Sequence, residues 1–200
     1  NERKLSEELG ISRTPIREAI RMLEQEGLAV TIPRKGAEVA RMTEKDMEDV
    51  LQIRDALDEL AASIACEQIS EEELAELRHT MHEFEESTKT GDVKRIAEAD
   101  VRFHDIIYHA TRNVKLENML NNLREQMYRY RLEYIKDEDK RHILLVEHDQ
   151  ILKALSLRHV HEAKIAIREH IDNQEITILK NLKEQENDVQ RKVSGRRNPI

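Results

Sequence analysis

Four side chains of this 200-residue sequence have the types and spacing to hold a metal ion: Asp100, His104, His148 and His170. Asp100 and His104 are four residues apart, which on a helix is one turn along and about 40° around, so both can face one ion. His148 and His170 are harder to place together. On one unbroken helix, 22 residues would set them roughly 33 Å apart. They can share a site only if the chain reverses near residues 156–160, and no Gly or Pro marks a reversal there. The residues alone therefore leave the joint site open. With nine histidines in the chain, some i,i+4 carboxylate pairs arise by chance. His79, His82, His109, His142, His159 and His161 are assigned to ordinary surface or core positions, with His109 near enough to approach a pocket. Three imidazoles and a carboxylate suit zinc, nickel, manganese or iron(II), and residue types do not choose among them.

A second constellation is built for phosphates and base edges. Residues 12–28 read as a helix that opens on Ser12-Arg-Thr-Pro15 and ends at Gly27. Ser12 or Thr14 can cap it, and Pro15 is tolerated only in a first turn, which fixes the start. Ile16, Ala19, Ile20 and Leu23 form the expected buried stripe, while Arg13, Thr14, Arg17 and Arg21 project from other faces. Upstream, Arg3 to Leu9 and the turn at Gly10 complete a helix-turn-helix. Downstream, residues 28–40 hold two short β-prone runs around Pro33-Arg34-Lys35-Gly36, a hairpin that reads as a wing. The plainer alternative is a solvated amphipathic helix with ordinary surface arginines.

The rest of the chain must position the metal ligands, and it reads as helix after helix. Capping boxes at Thr43/Asp46 and Ser70/Glu73 open the first two, and Gly91-Asp92 punctuates the third. Further starts near residues 114, 139 and 160 give about six amphipathic helices, which must share one core large enough to enclose a pocket. The expected architecture is mainly α: a winged helix-turn-helix over 1–41, an all-α bundle over 42–187 and a tail over 188–200. The short join carries no Gly/Ser-rich linker, which favours mechanical coupling.

Charge partitions the same way. The net charge of −8 looks wrong for a DNA binder until it is split. Residues 1–41 hold eight Lys/Arg and seven Asp/Glu, net +1, leaving 25 basic and 34 acidic residues, net −9, in the remainder. Cys66 is the sole cysteine, which excludes an intrachain disulfide framework and suits a reducing cytoplasm. No apolar run is long enough for a bilayer and no signal peptide is visible, so no membrane partner is expected.

Residues 2–41 resemble the winged helix of the GntR family of bacterial transcription regulators. Leu5-Ser-Glu-Glu-Leu-Gly-Ile-Ser-Arg-Thr-Pro-Ile-Arg-Glu-Ala-Ile20 is a close match. The resemblance implies contacts to double-stranded operator DNA from Arg3, Arg13, Thr14 and Arg17, and from the wing tip at Arg34, Lys35 and Gly36. The family's winged helix has a further helix before the position of Asn1, so the domain is expected to be incomplete at its N-terminus. About Thr43 to Lys183 resembles the FCD ligand-binding domain of the FadR-type branch. Its metal-binding members carry an Asp, a His four residues on, a later Glu-His and a His about 22 residues beyond, a pattern that Asp100, His104, Glu147-His148 and His170 match.

The same resemblance implies a homodimer, a small organic acid as effector and repression relieved by that acid. Arg54, Arg124, Tyr128 and Arg131 are the candidate anchors for the acid. Arg54 has an alternative role as the i,i+4 partner of Asp58, where the family usually has Glu. The other three also fit a solvated helix with an aromatic edge, and Asn113 fits a turn. Two rival functions are a metal-dependent hydrolase, for which no general base stands at a motif-like spacing, and a regulator whose metal is purely structural.

Overall fold

The computed structural model describes residues 2–195 and divides the chain into two compact units, Asn1–Met42 and Thr43–Ile200. The first contains α1 (Glu2–Leu9), α2 (Arg13–Gln25) and an antiparallel hairpin of β1 (Ala29–Ile32) and β2 (Gly36–Val39). Gly10 makes the turn between the helices at φ +66°, in the left-handed region where a side chain is strained. Its N–H donates to Ser6 O at 3.1 Å, while Ser6 Oγ donates to Ile11 O at 2.6 Å. The hairpin pairs Ala29 with Val39 and Ile32 with Gly36, and Lys35 N donates to Ile32 O across the tip. Arg34 turns the corner with φ +69°.

Two local expectations for α2 need correction. Ser12 occupies the N-cap position, but its side chain makes no capping hydrogen bond. Of the expected stripe, Ile16 is buried and Ile20 half-buried, whereas Ala19 and Leu23 are exposed. The cause is geometric: α1 and β1 are the main elements packed on α2, and two short elements cover one edge of its apolar face.

The second unit is an all-α bundle of α3 (Glu44–Gln68), α4 (Glu71–Thr90), α5 (Val93–Ala110), α6 (Val114–Lys136), α7 (Glu138–Ser156) and α8 (Val160–Gly195). Both capping boxes form, with Thr43 and Ser70 accepting from the N3 amides while Asp46 and Glu73 reach back. Asn113 caps α6 by accepting from Leu116 N at 3.2 Å, the turn role expected of it. Small side chains on facing helices, Ala61, Ala62 and Ala65 of α3 and Ala163 and Ala166 of α8, join one core cluster with Phe103 and Tyr108. A second cluster gathers Phe84, Ile96, Tyr134 and Leu144. Helix α8 runs to Gly195, into the stretch expected as a tail, and residues 196–200 lie outside the described residues.

The reversal that the joint site requires lies between α7 and α8. Arg158 adopts φ +54°, and its guanidinium reaches the C-terminal carbonyls of α3, Nη1 to Cys66 O at 3.2 Å and Nη2 to Ile69 O at 2.6 Å. An arginine thus does what a glycine usually does at a helix end, and its two contacts to α3 offset the backbone strain. The turn brings α7 and α8 side by side.

Candidate functional site

Asp100 and His104 on α5, His148 on α7 and His170 on α8 converge in the bundle, and all four are fully buried. One ring nitrogen from each of the three histidines lies within 4.8 Å of the other two. His104 Nε2 is 3.2 Å from His170 Nε2, and His148 Nε2 is 3.5 Å from Asp100 Oδ1. The His148 ring sits between Phe103, stacked at 4.2 Å, and Phe84 at 4.9 Å, so it meets both core clusters.

Burial makes the protonation states legible. Desolvation holds His104, His148 and His170 well below the ordinary histidine value, and the positive charge of Arg131 adds to this at each. Three neutral imidazoles therefore face one point. Asp100 is in ion-pair contact with Arg131 of α6. Even so, neither Asp100 oxygen, nor His104 Nδ1, nor either His148 nitrogen has a hydrogen-bond partner of acceptable geometry. Buried polar atoms without partners are costly, and these belong to two of the three gathered histidines and to the carboxylate beside His148. Neutral nitrogens and a carboxylate are the donor set a divalent transition metal takes.

A supporting layer stands behind these residues. Glu147 Oε2 is 2.8 Å from His170 Nδ1, and Glu147 Oε1 accepts from Asn173 Nδ2 at 2.7 Å. Burial pushes the Glu147 carboxyl up to about 7, against the lowering effect of the Asn173 amide. Gln174 Nε2 lies 2.8 Å from His170 Nε2. Neither Asn173 nor Gln174 figures among the sequence candidates, although Gln174 stands one helical turn after His170.

The expected anchors separate. Arg54 is buried, with Nε donating to Asp58 Oδ2 at 3.0 Å and Nη1 3.7 Å from Met127 Sδ, while Nη2 has no partner. Asp58 also accepts from Tyr108 OH at 2.7 Å, and Tyr108 packs 6.0 Å from the His104 ring. The i,i+4 pair with Asp58 thus exists, and it leaves one end of the guanidinium free. Arg131 joins the centre through Asp100. Arg124 instead donates to Asp105 at 2.6 Å and to Val101 O at 3.3 Å, on the wall of a groove of about 360 Å³ that also holds His109. Tyr128 is 36% exposed and lines a separate surface groove with Glu98 and Arg102, so it is not brought to the centre.

In the first unit, Arg3, Arg13, Thr14 and Arg17 are exposed on the two helices, and Arg34 and Lys35 are exposed at the hairpin tip beside half-buried Gly36. Arg3 pairs with Glu7 at 3.0 Å. Arg13 and Arg17 both donate to Glu2, whose carboxyl is held below the usual range by Arg17 first and then Arg13.

Comparison with known proteins matches residues 1–39 to the bacterial regulatory proteins of the gntR family and residues 49–173 to the FCD domain. This chain belongs to the GntR family. Its relatives include the uncharacterized HTH-type transcriptional regulator YdhC of Bacillus subtilis, 28% identical over 86% of this chain and 78% of that protein. The Uxu operon regulator of Haemophilus influenzae is 29% identical over 86% of this chain and 70% of its own length. Among solved structures, Escherichia coli McbR/YncC superposes with a TM-score of 0.80 over 90% of this chain and 85% of that one, at 24% identity, and so shares the fold. GntR proteins are transcription regulators that bind operator DNA, which decides between regulator and hydrolase in favour of the regulator. No helix of this GntR-family protein is long and apolar enough, among the described residues, to cross a membrane.

Proposed function

We propose that this GntR-family protein is a homodimeric repressor whose grip on a palindromic operator is released by a small organic acid bound beside a divalent metal. Asp100, His104, His148 and His170 would hold the ion, and a bound ion supplies open positions for a carboxylate and a neighbouring hydroxyl or carbonyl oxygen of the acid. The observation that carries this reading is the gathering of three buried imidazoles, with the Asp100 carboxylate 3.5 Å from His148 and polar atoms of Asp100, His104 and His148 left without hydrogen-bond partners. Arg54, with Nη2 free, supplies a donor for an acid's second carboxylate, and Arg131 balances the charge of Asp100.

On the DNA side, α2 enters the major groove of each half-site and the wing meets the flanking backbone, with the dimer setting the half-site spacing. Control requires the acid to bind the DNA-competent and DNA-incompetent states unequally, and a coupling of about 1–3 kcal/mol suffices.

The test is a native mass spectrum of the purified protein, followed by titration of a bound DNA duplex with small hydroxy and keto acids. A dimer with one metal per chain, from which an acid displaces the DNA, is the expected result. Protein that takes up no added zinc, nickel or manganese would sink the metal centre. A His148→Ala variant that stays a folded dimer but loses acid binding separates a sensing metal from a structural one.

A further inference from the structure

Glu2 occupies an unusual place for a carboxylate, on the helix face that carries the expected DNA contacts. Its Oε2 accepts from Arg17 Nε at 2.8 Å and from Arg13 Nη2 at 3.0 Å, across 15 and 11 residues of sequence. The pairs Arg3–Glu7, Lys4–Glu8 and Arg21–Glu18, by contrast, each lie within one helix. A negative charge here repels DNA phosphates, so it weakens binding to any duplex. The geometry offers a compensating gain.

Arg17 and Arg13 are more than half exposed, and a free arginine side chain there samples many rotamers. Glu2 takes Arg17 at Nε only. The parallel Nη1 and Nη2 donors at the end of the guanidinium fork have no partner among the described residues, and such a pair reads O6 and N7 of guanine. Arg13 is tethered through Nη2, which leaves its Nε and Nη1 groups for phosphate. One carboxylate therefore locks two arginines from the first two turns of α2 in a fixed relation.

We infer that Glu2 is a positioning residue for operator specificity, trading general affinity for DNA against a pre-set orientation of Arg17 and Arg13. This rests on the proposed entry of α2 into the major groove. The two halves of the trade have opposite signs, which makes the inference testable.

The experiment uses the full-length protein and two duplexes, one selected by the wild type from a randomised pool and one scrambled, with affinities read by fluorescence anisotropy. Glu2→Ala is expected to bind the scrambled duplex as tightly as wild type or more tightly, and the selected duplex more weakly. The ratio of the two affinities should fall about tenfold. In an Arg17→Ala background, adding Glu2→Ala should leave the ratio where Arg17→Ala alone put it, because Glu2 acts through that side chain. Matching circular dichroism melts show that the fold is kept. A Glu2→Ala ratio equal to wild type overturns the positioning role while a reduced Arg17→Ala ratio keeps the groove reading. An Arg17→Ala ratio equal to wild type overturns both.

Discussion

The carboxylate of Glu147 lies 2.8 Å from Nδ1 of His170, although the two residues sit on different helices. With the ring proton on Nδ1, that contact leaves the Nε2 lone pair facing His104 and the interior of the cluster. Asn173 steadies the other carboxylate oxygen. Carboxylate partners of this kind fix the orientation and basicity of metal-binding histidines. Glu147→Ala is expected to lower metal affinity by about 10–100-fold without loss of helix content. Glu147→Gln, which keeps an accepting oxygen, should lose less. Competition with a chromogenic chelator reads both variants, and wild-type affinity in Glu147→Ala would confine Glu147 to a packing role.

Stability should report the proposed ion as well. A buried polar group without a partner costs about 1–3 kcal/mol, and several surround this point. An ion at 100 times its Kd adds about 2.7 kcal/mol to the folded state. For a chain of this length each kcal/mol moves Tm by about 2–4 °C, so chelation should lower Tm by roughly 5–10 °C. Calorimetry before dialysis against a chelator, after it, and after zinc is restored measures the change. An unmoved Tm would count against the centre.

What the sequence discloses about this fold is mostly local chemistry. The caps at Thr43, Ser70, Asp92 and Asn113 each act within three residues, so their side chains announce the helices they start. The α7–α8 reversal was hidden because Arg158 stabilises it by reaching the end of α3, some 90 positions away in sequence. The same distinction runs through the site. Asp100 and His104 share a helix and could be paired by spacing, but the contacts of Asp58 with Tyr108 and of Glu147 with His170 need the tertiary fold. On α6, Arg124 and Arg131 are seven residues apart and nearly aligned, whereas Tyr128 is turned about 60° from Arg131, enough to leave it on the surface. The exposed Ala19 and Leu23 show the converse, since an amphipathic pattern states which face is apolar but not what covers it.

The capping box at the head of α3 gives the acid limb of stability a predictable feature. Asp46 accepts from Thr43 N at 3.0 Å and from Thr43 Oγ1 at 2.8 Å, and the backbone contact in particular holds its carboxyl below the ordinary aspartate value. Because the folded value is the lower one, this stabilisation is complete above the unfolded value near 3.8 and disappears as pH falls through the folded value. Asp46→Asn should therefore cost about 0.5–1 kcal/mol at neutral pH and progressively less below about pH 4. Urea unfolding of wild type and variant at both ends of that window measures it. A constant difference across the window would mean that the charge is not what matters.

Arg54 offers a test of the proposed acid that leaves the proposed metal ligands in place. Its Nε holds Asp58, which also receives the Tyr108 hydroxyl, so removing the charge with Arg54→Met would strand a buried carboxylate at about 3–5 kcal/mol and confuse binding with folding. Arg54→Lys keeps a cation beside Asp58 but lacks the second arm of the fork, the one whose Nη2 has no protein partner. Losing a charged hydrogen bond worth about 1.5–3 kcal/mol corresponds to roughly a 10–100-fold weaker acid complex. Metal affinity should stay at the wild-type level, because Arg54 is not a ligand. Calorimetric titration of metal-loaded protein with small dicarboxylic and hydroxy acids separates the two quantities. If Arg54→Lys binds an acid as tightly as wild type, Arg54 serves only to neutralise Asp58, and the recognition of the second carboxylate passes to another side chain.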